Sequence, residues 1–204
     1  MFRETRSNPQ PSSNEDKEIG LKKIVCGGQT GVDRAALDAA ILLDIEYGGW
    51  CPQDRLDETL NETGRIPEKY IHLKEVSGEF KDKKENFDTR TKQNIKDSNA
   101  TLIIVPEEPM PKKIQDGTKI MEAEAIKQNK LYLIISLSES HEMNSSLLAN
   151  WIETKKIKTL NIGGPRESNC PGIYQSSLEL FKVALPRCKH RVTLRAEIST
   201  RKTF

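Results

Sequence analysis

Short apolar runs alternating with amphipathic stretches of helix length predict an α/β chain, a Rossmann-like three-layer α/β/α domain with a mostly parallel sheet. Two runs carry most of that prediction. TLIIV at 101–105 and LYLIIS at 131–136 are almost unbroken apolar segments, as strands covered on both faces require. A third observation is IVCGGQTGVDRAALDAA at 24–40, where an apolar strand passes through a glycine loop directly into a helix.

The same pattern places strands at 22–26, 45–50, 71–75, 101–105, 131–136 and 158–162, and helices at 33–43, 84–96, 118–128, 143–154 and 174–184. In the first helix Ala36, Leu37, Ala40, Ile41 and Leu43 recur at nearly helical spacing and face a sheet. Residues 51–70, with Pro52, Asn61, Gly64 and Pro67, show no period and read as a long loop on the carboxyl edge of the sheet, where open parallel sheets bind ligands.

At 204 residues the chain fits one domain, since domains run about 100–200 residues. Residues 1–18 are polar and rich in Pro, Ser and Asn, too poor in apolar side chains to offset the entropy of ordering, and are expected to be disordered. The ligand-binding domain then spans 19–186, and 187–204 form a basic tail. No apolar run approaches the ~18 residues of a membrane span, so no membrane partner is expected. The N-terminus lacks a secretory pattern, which makes the expected location cytoplasmic.

The formal charge is +2, from 32 basic and 30 acidic residues, and exerts no general pull on nucleic acid. The tail departs from that balance: Arg187, Lys189, Arg191, Arg195, Arg201 and Lys202 stand against Glu197, enough for a weak polyanion contact. Val192, Leu194 and Ile198 allow one short edge strand there. The four cysteines form no C-x-x-C pair and the three histidines no paired spacing, so neither metal nor disulfide framework is expected.

The chemistry concentrates on loops. Gly27, Gly28, Gln29, Thr30 and Gly31 open onto a helix whose first amides have no internal partner and carry the positive end of its dipole, suited to a phosphate or carboxylate. A branched side chain at Gly28 is expected to fill the space where the phosphate meets the amides. The loop ends in Gly31-Val32-Asp33 rather than Gly-Lys-Ser/Thr, which removes the Walker clamp. Nor is it G-x-G-x-x-G, and the second strand ends in Gly48, Gly49 and Trp50 instead of an acid, against a dinucleotide site.

Asp33 and Arg34 start the helix, as dipole partners or as ligand contacts, and Trp50 offers a stacking surface at a strand end. Arg90, Asn94 and Asp97 share one helix face, with Arg90 and Asn94 suited to oxyanions and heterocycle edges. Gly117 and Thr118 open the third helix, Thr118 as its cap or as part of an anion cradle. Gly163, Gly164 and Arg166 follow the last strand. Three glycine-bearing loops on one sheet edge imply a pocket. No nucleophile elbow occurs, and the catalytic residues are left unassigned.

Taken in order, GGQTGVDRAALDAA, GGWCP, TRTKQNIKDSNATLII, DGTK and NIGGPRES followed by PGIY resemble the molybdenum-cofactor carrier family over 21–185. The resemblance implies a Rossmann-like fold related to the Lonely-Guy phosphoribohydrolases and the DprA proteins, and a homo-oligomer, dimer or tetramer. It implies as cargo a small phosphorylated heterocycle, either molybdenum cofactor (molybdopterin) or a nucleotide derivative. The related hydrolases carry Gly-Thr-x-x-Glu, whereas here Glu122 stands one place late after Gly117-Thr118. Two readings stay open beside the carrier: a nucleotide N-glycoside hydrolase in which Asp33 or Glu122 stabilises a cationic sugar, and a nucleic-acid-associated module using the tail.

Overall fold

The structure is a computed structural model that describes residues 20–58 and 64–201. Its strands are β1 (Lys23–Val25), β2 (Glu46–Cys51), β3 (Leu73–Glu75), β4 (Ala100–Val105), β5 (Leu131–Ser136) and β6 (Thr159–Gly163). Its helices are α1 (Val32–Leu42), α2 (Lys83–Lys96), α3 (Gln115–Lys127), α4 (His141–Thr154) and α5 (Ile173–Arg201). Each strand and helix expected from the periodicity is found. The segment 1–18 lies outside the described residues.

The six strands pair in the order β3-β2-β1-β6-β4-β5, and every pairing is parallel. From β1 the chain steps outward to β2 and β3, crosses through α2 to β4, steps out to β5, and returns through α4 to insert β6 beside β1. Strand order therefore reverses around β1 and β6, and a crevice opens at their carboxyl ends.

Alternation along β4 divides the core. Ala100, Leu102 and Ile104 pack on one face with α1, α4 and α5, while Ile103 and Val105 pack on the other with Ile95 of α2 and Met121 and Ala125 of α3. All six residues of β4 are buried, which is why its sequence reads as one apolar run. Ala35, Ala36, Ala39 and Ala40 leave α1 thin on its buried side, so it lies close to the sheet and to α5. The result is an open three-layer α/β/α arrangement.

Two segments differ from the sequence reading. α3 starts at Gln115 after a 3-10 turn, Lys112–Ile114, so Gly117 and the buried Thr118 sit inside its first turn and Thr118 is not its cap. α5 does not stop at 184 but runs to Arg201 with Pro186 inside it. The boundary placed at 186 thus falls within one helix, and residues 191–194 are helical rather than an edge strand. A helix bonds only within itself, so continuing α5 satisfies the tail's backbone where a lone strand would need a sheet edge.

Phe181 is fully buried on α5, which packs against α1 and α4, and belongs to the larger core cluster. Phe181→Ala is expected to cost about 3–5 kcal/mol of unfolding free energy, measured by urea denaturation, because the cavity cannot collapse among closely packed elements.

Candidate functional site

The glycine loop is built around Asp33. One carboxylate oxygen, Oδ2, accepts from the amides of Gly27 (3.1 Å) and Gln29 (3.2 Å) and from Nη1 of Arg90 (3.2 Å). The anion gathered by these loop amides is therefore the chain's own carboxylate, in the first turn of the helix that the loop precedes. Asp33 is buried, and burial pushes its pKa up from 3.8 despite the opposing pull of Arg90 and the two amides.

Each glycine answers to a different neighbour. A Cβ on Gly27 would lie 1.9 Å from Nη1 of Arg90, so only glycine lets the guanidinium lie on the loop. Gly28 has a φ of 75°, and its Cβ would lie 2.7 Å from Leu73 and 3.1 Å from Ile66. The space a side chain would take at Gly28 is filled by the apolar cluster of Ile66 and Leu73. Gly31 abuts the Pro165 carbonyl, and Gly163 and Gly164 abut Met121 and Val32. Here the glycines allow loops to pack against each other.

A cleft of about 130 Å³ opens beside this centre. Gln29 and Asp33 line it from the glycine loop and α1, and Phe87, Asp88, Arg90 and Thr91 from α2. Ile114 comes from the turn before α3, Gly117, Thr118, Ile120 and Met121 from its first half, and Gly164, Pro165, Arg166 and Asn169 from the loop after β6. The Arg166 guanidinium lies over the Phe87 ring at 5.3 Å.

Of the residues singled out by sequence, Gln29, Asp33, Arg90, Gly117, Thr118, Gly164 and Arg166 meet in this cleft. Others are engaged elsewhere. Asn94 accepts from the Trp50 amide (2.7 Å) and donates to the Trp50 carbonyl (2.9 Å), while the Trp50 indole donates to Asp97 (2.7 Å). A buried side-chain amide thus completes the pairing of β2, and neither Trp50 nor Asn94 is in the cleft lining. Arg34 pairs with Asp57 at 2.5 Å, and Thr30 donates to Glu58. Helical spacing put Arg90 and Asn94 on one face, but the end of β2 lies beside Asn94, whereas Arg90, a turn earlier, reaches the loop after β1.

Phe87, Thr91, Ile114, Ile120, Met121 and Asn169 were not legible as lining residues, though Phe87, the one aromatic of α2, was a usable signal. The described parts of the 51–70 segment, 51–58 and 64–70, also have more order than its composition suggested. Leu56 and Arg65 form an antiparallel bridge, and Arg55 donates to the carbonyls of Ile66, Pro67 and Tyr70. Burial pushes the thiols of Cys26 and Cys51 up, the latter to about 11, which keeps both protonated and poorly nucleophilic at neutral pH. Among the described residues no group of three or more His, Cys, Asp or Glu is placed to hold a metal ion.

Fold and cleft together define an open Rossmann-like protein with a pocket where its strand order reverses. The chain belongs to the circularly permutated YpsA SLOG family, which matches residues 24–185. It is similar to a solved protein from Syntrophus aciditrophicus SB called "Putative molybdenum carrier protein", with 38% identity and a TM-score of 0.71 over 83% of this chain and 98% of that one. Both findings agree with the family that the ordered motifs resemble. No curated protein matches the chain.

Two outcomes follow from this geometry. Gly28→Val is expected to lower stability by about 2–5 kcal/mol in urea denaturation, since it combines an unfavourable φ with overpacking against Leu73 and Ile66. The second concerns pH. Asp33 has a folded pKa above its unfolded value, so its contribution to stability is complete below 3.8 and is lost as pH rises through the folded value. Asp33→Asn cannot ionise; as pH rises above 3.8 its stability relative to the native chain should shift in the variant's favour, measured by urea denaturation across a pH series.

Proposed function

We propose that this chain is a molybdenum carrier-like protein that binds a phosphorylated heterocycle in the cleft, either molybdenum cofactor as cargo or a nucleotide derivative. The observation that carries this reading is Arg166. It lines the cleft, lies over Phe87, and among the described residues makes no salt bridge, so its charge is available to a phosphate. Opposite it, Arg90 is held by Asp33 and Gly27 and keeps Nε without a partner.

The wall formed by Phe87, Ile114, Ile120, Met121 and Pro165 is apolar, while Gln29, Asp33, Arg90 and Thr118 are polar, as a flat heterocycle with a polar edge requires. A volume of about 130 Å³ falls below the roughly 300 Å³ at which whole-ligand pockets begin, so it suits one ring system with the rest of the ligand along the rim. For molybdenum cofactor that means the pterin inside and the phosphate toward Arg166. The glycine loop acts through Asp33, by fixing Arg90.

The hydrolase reading draws less support. Asp33 Oδ2 already serves three donors, and Glu122 is not in the cleft lining. Among the described residues no helix is long and apolar enough to cross a membrane. The carrier reading includes a cytoplasmic location and a homo-oligomer, dimer or tetramer, which analytical ultracentrifugation of the full chain measures.

Calorimetry with nucleoside 5′-monophosphates and with molybdenum cofactor tests the site. Arg166→Ala is expected to weaken binding about tenfold or more, equivalent to about 1.4 kcal/mol, with little change in melting temperature because the side chain makes no ion pair. Unchanged affinity in the folded variant removes the cleft from consideration. Native mass spectrometry of the protein from its own cells identifies the cargo.

A further inference from the structure

The segment that follows β2 turns back over the glycine loop, and three consecutive residues bind it and the first turn of α1. The Leu56 carbonyl accepts from Gln29 Nε2 (2.9 Å), Asp57 pairs with Arg34 (2.5 Å), and Glu58 accepts from the Thr30 hydroxyl. Glu58 also accepts from the Ser168 amide (3.3 Å) and the Ser168 hydroxyl. Two hydroxyls and an amide, drawn from two loops far apart in sequence, thus converge on one carboxylate.

This donor set has the makings of a phosphate site. Thr30 lies just before α1, and Ser168 lies in the loop that leads into α5, two residues after Arg166 of the cleft. Hydroxyls and amides at the start of helices satisfy tetrahedral oxyanions as readily as a carboxylate, and a dianion gains more from them. The site is framed from behind: the Glu167 amide donates to Thr30 (3.2 Å), while the Glu167 carboxylate accepts from the amides of Gly172 (2.5 Å) and Tyr174 (3.0 Å) and orders the entry to α5. Ser168 is exposed, so the group is reachable from solvent.

A second observation comes from inside the loop. Gln29 is 2% exposed and lines the cleft, yet its side-chain oxygen has no partner while its amide nitrogen is tied to Leu56. An unpartnered buried acceptor is suited to an N–H or O–H of a bound molecule, which places the donor edge of a ligand beside the subsite where its phosphoryl group would sit.

We propose that Thr30 and Ser168 form an oxyanion subsite at the rim of the cleft, held in this structure by the chain's own Glu58, which a phosphoryl group displaces. Glu58 is a self-ligand that sets the threshold for anion binding. The inference rests on the cleft reading for its biological ligand, but it is read with inorganic phosphate, which requires no heterocycle.

Glu58→Gln keeps the shape and removes the competing charge. In the full chain it is expected to bind inorganic phosphate about fivefold or more tightly than the unaltered chain by calorimetry, as removal of a closed state that dominates the population predicts. Adding Ser168→Ala should reverse that gain. Should Glu58→Gln fail to fold, carbodiimide labelling of the unaltered chain decides: phosphate should raise modification of Glu58 severalfold and leave Glu85, the N-terminal acid of α2, unchanged. Phosphate binding no tighter in a folded Glu58→Gln variant, or Glu58 labelling unaffected by phosphate at any concentration reached, overturns the proposal. Arg166→Ala with nucleotide reports on the cleft separately, so failure of either idea is visible without the other.

Discussion

A single buried carboxylate organises this site. Asp33 must be satisfied because an isolated charge in a protein interior is very costly, and three donors from two directions meet that need. The Gly27 and Gln29 amides fix the path of the chain between β1 and α1. Arg90 is drawn in from α2 on the opposite face of the sheet, so one ion pair ties both helical layers to the sheet edge. The raised pKa of Asp33 indicates that burial is only partly offset, and the arrangement holds because several elements impose it together.

Close approach is the second constraint, and it follows from the first. Arg90 lies on the loop only because Gly27 has no side chain, and the loop meets the β6–α5 connection only because Gly31 has none, while Gly163 and Gly164 let β6 approach Met121, Val32 and the Ile104 carbonyl. The same economy of volume appears in the alanine face of α1. Gly31 and Gly164 tolerate least change, since added atoms there meet backbone, whereas at Gly27 and Gly163 they meet the ends of Arg90 and Met121. At Gly164 a Cβ would lie 2.5 Å from the Ile104 carbonyl, which is anchored in β4.

Electrostatics then divides the basic side chains around the cleft between those held in the framework and Arg166. Arg34 and Arg90 are committed to Asp57 and Asp33, and Arg55 caps three carbonyls of the following loop. Arg166 is left over an aromatic ring at the mouth of the cleft. Acidic residues are distributed with the same logic. Asp38 accepts from Lys69, Tyr70 and Tyr174 and joins α1 to the loop before β3 and to α5; burial and then Asp38 push Tyr174 up to about 12, so that hydroxyl stays a donor.

Alternation and periodicity were enough to place the strands and helices, because every strand buried on both faces must be apolar throughout and every covering helix must carry an apolar stripe. The glycine loop, the carboxyl-edge location of the pocket, and the parts played by Arg90, Thr118 and Arg166 as lining residues were legible for similar reasons of local geometry. What each glycine faces was not, nor that Asn94 completes β2, nor that Asp33 takes the loop amides for itself. Those outcomes depend on which segments the crossover from β3 to β4 and the return of β6 bring together, over separations such as the 57 residues between Asp33 and Arg90. A sequence states which groups need partners; only the packed chain decides which partners are within reach, because hydrogen bonds and ion pairs form over about 3 Å, whatever the distance along the chain.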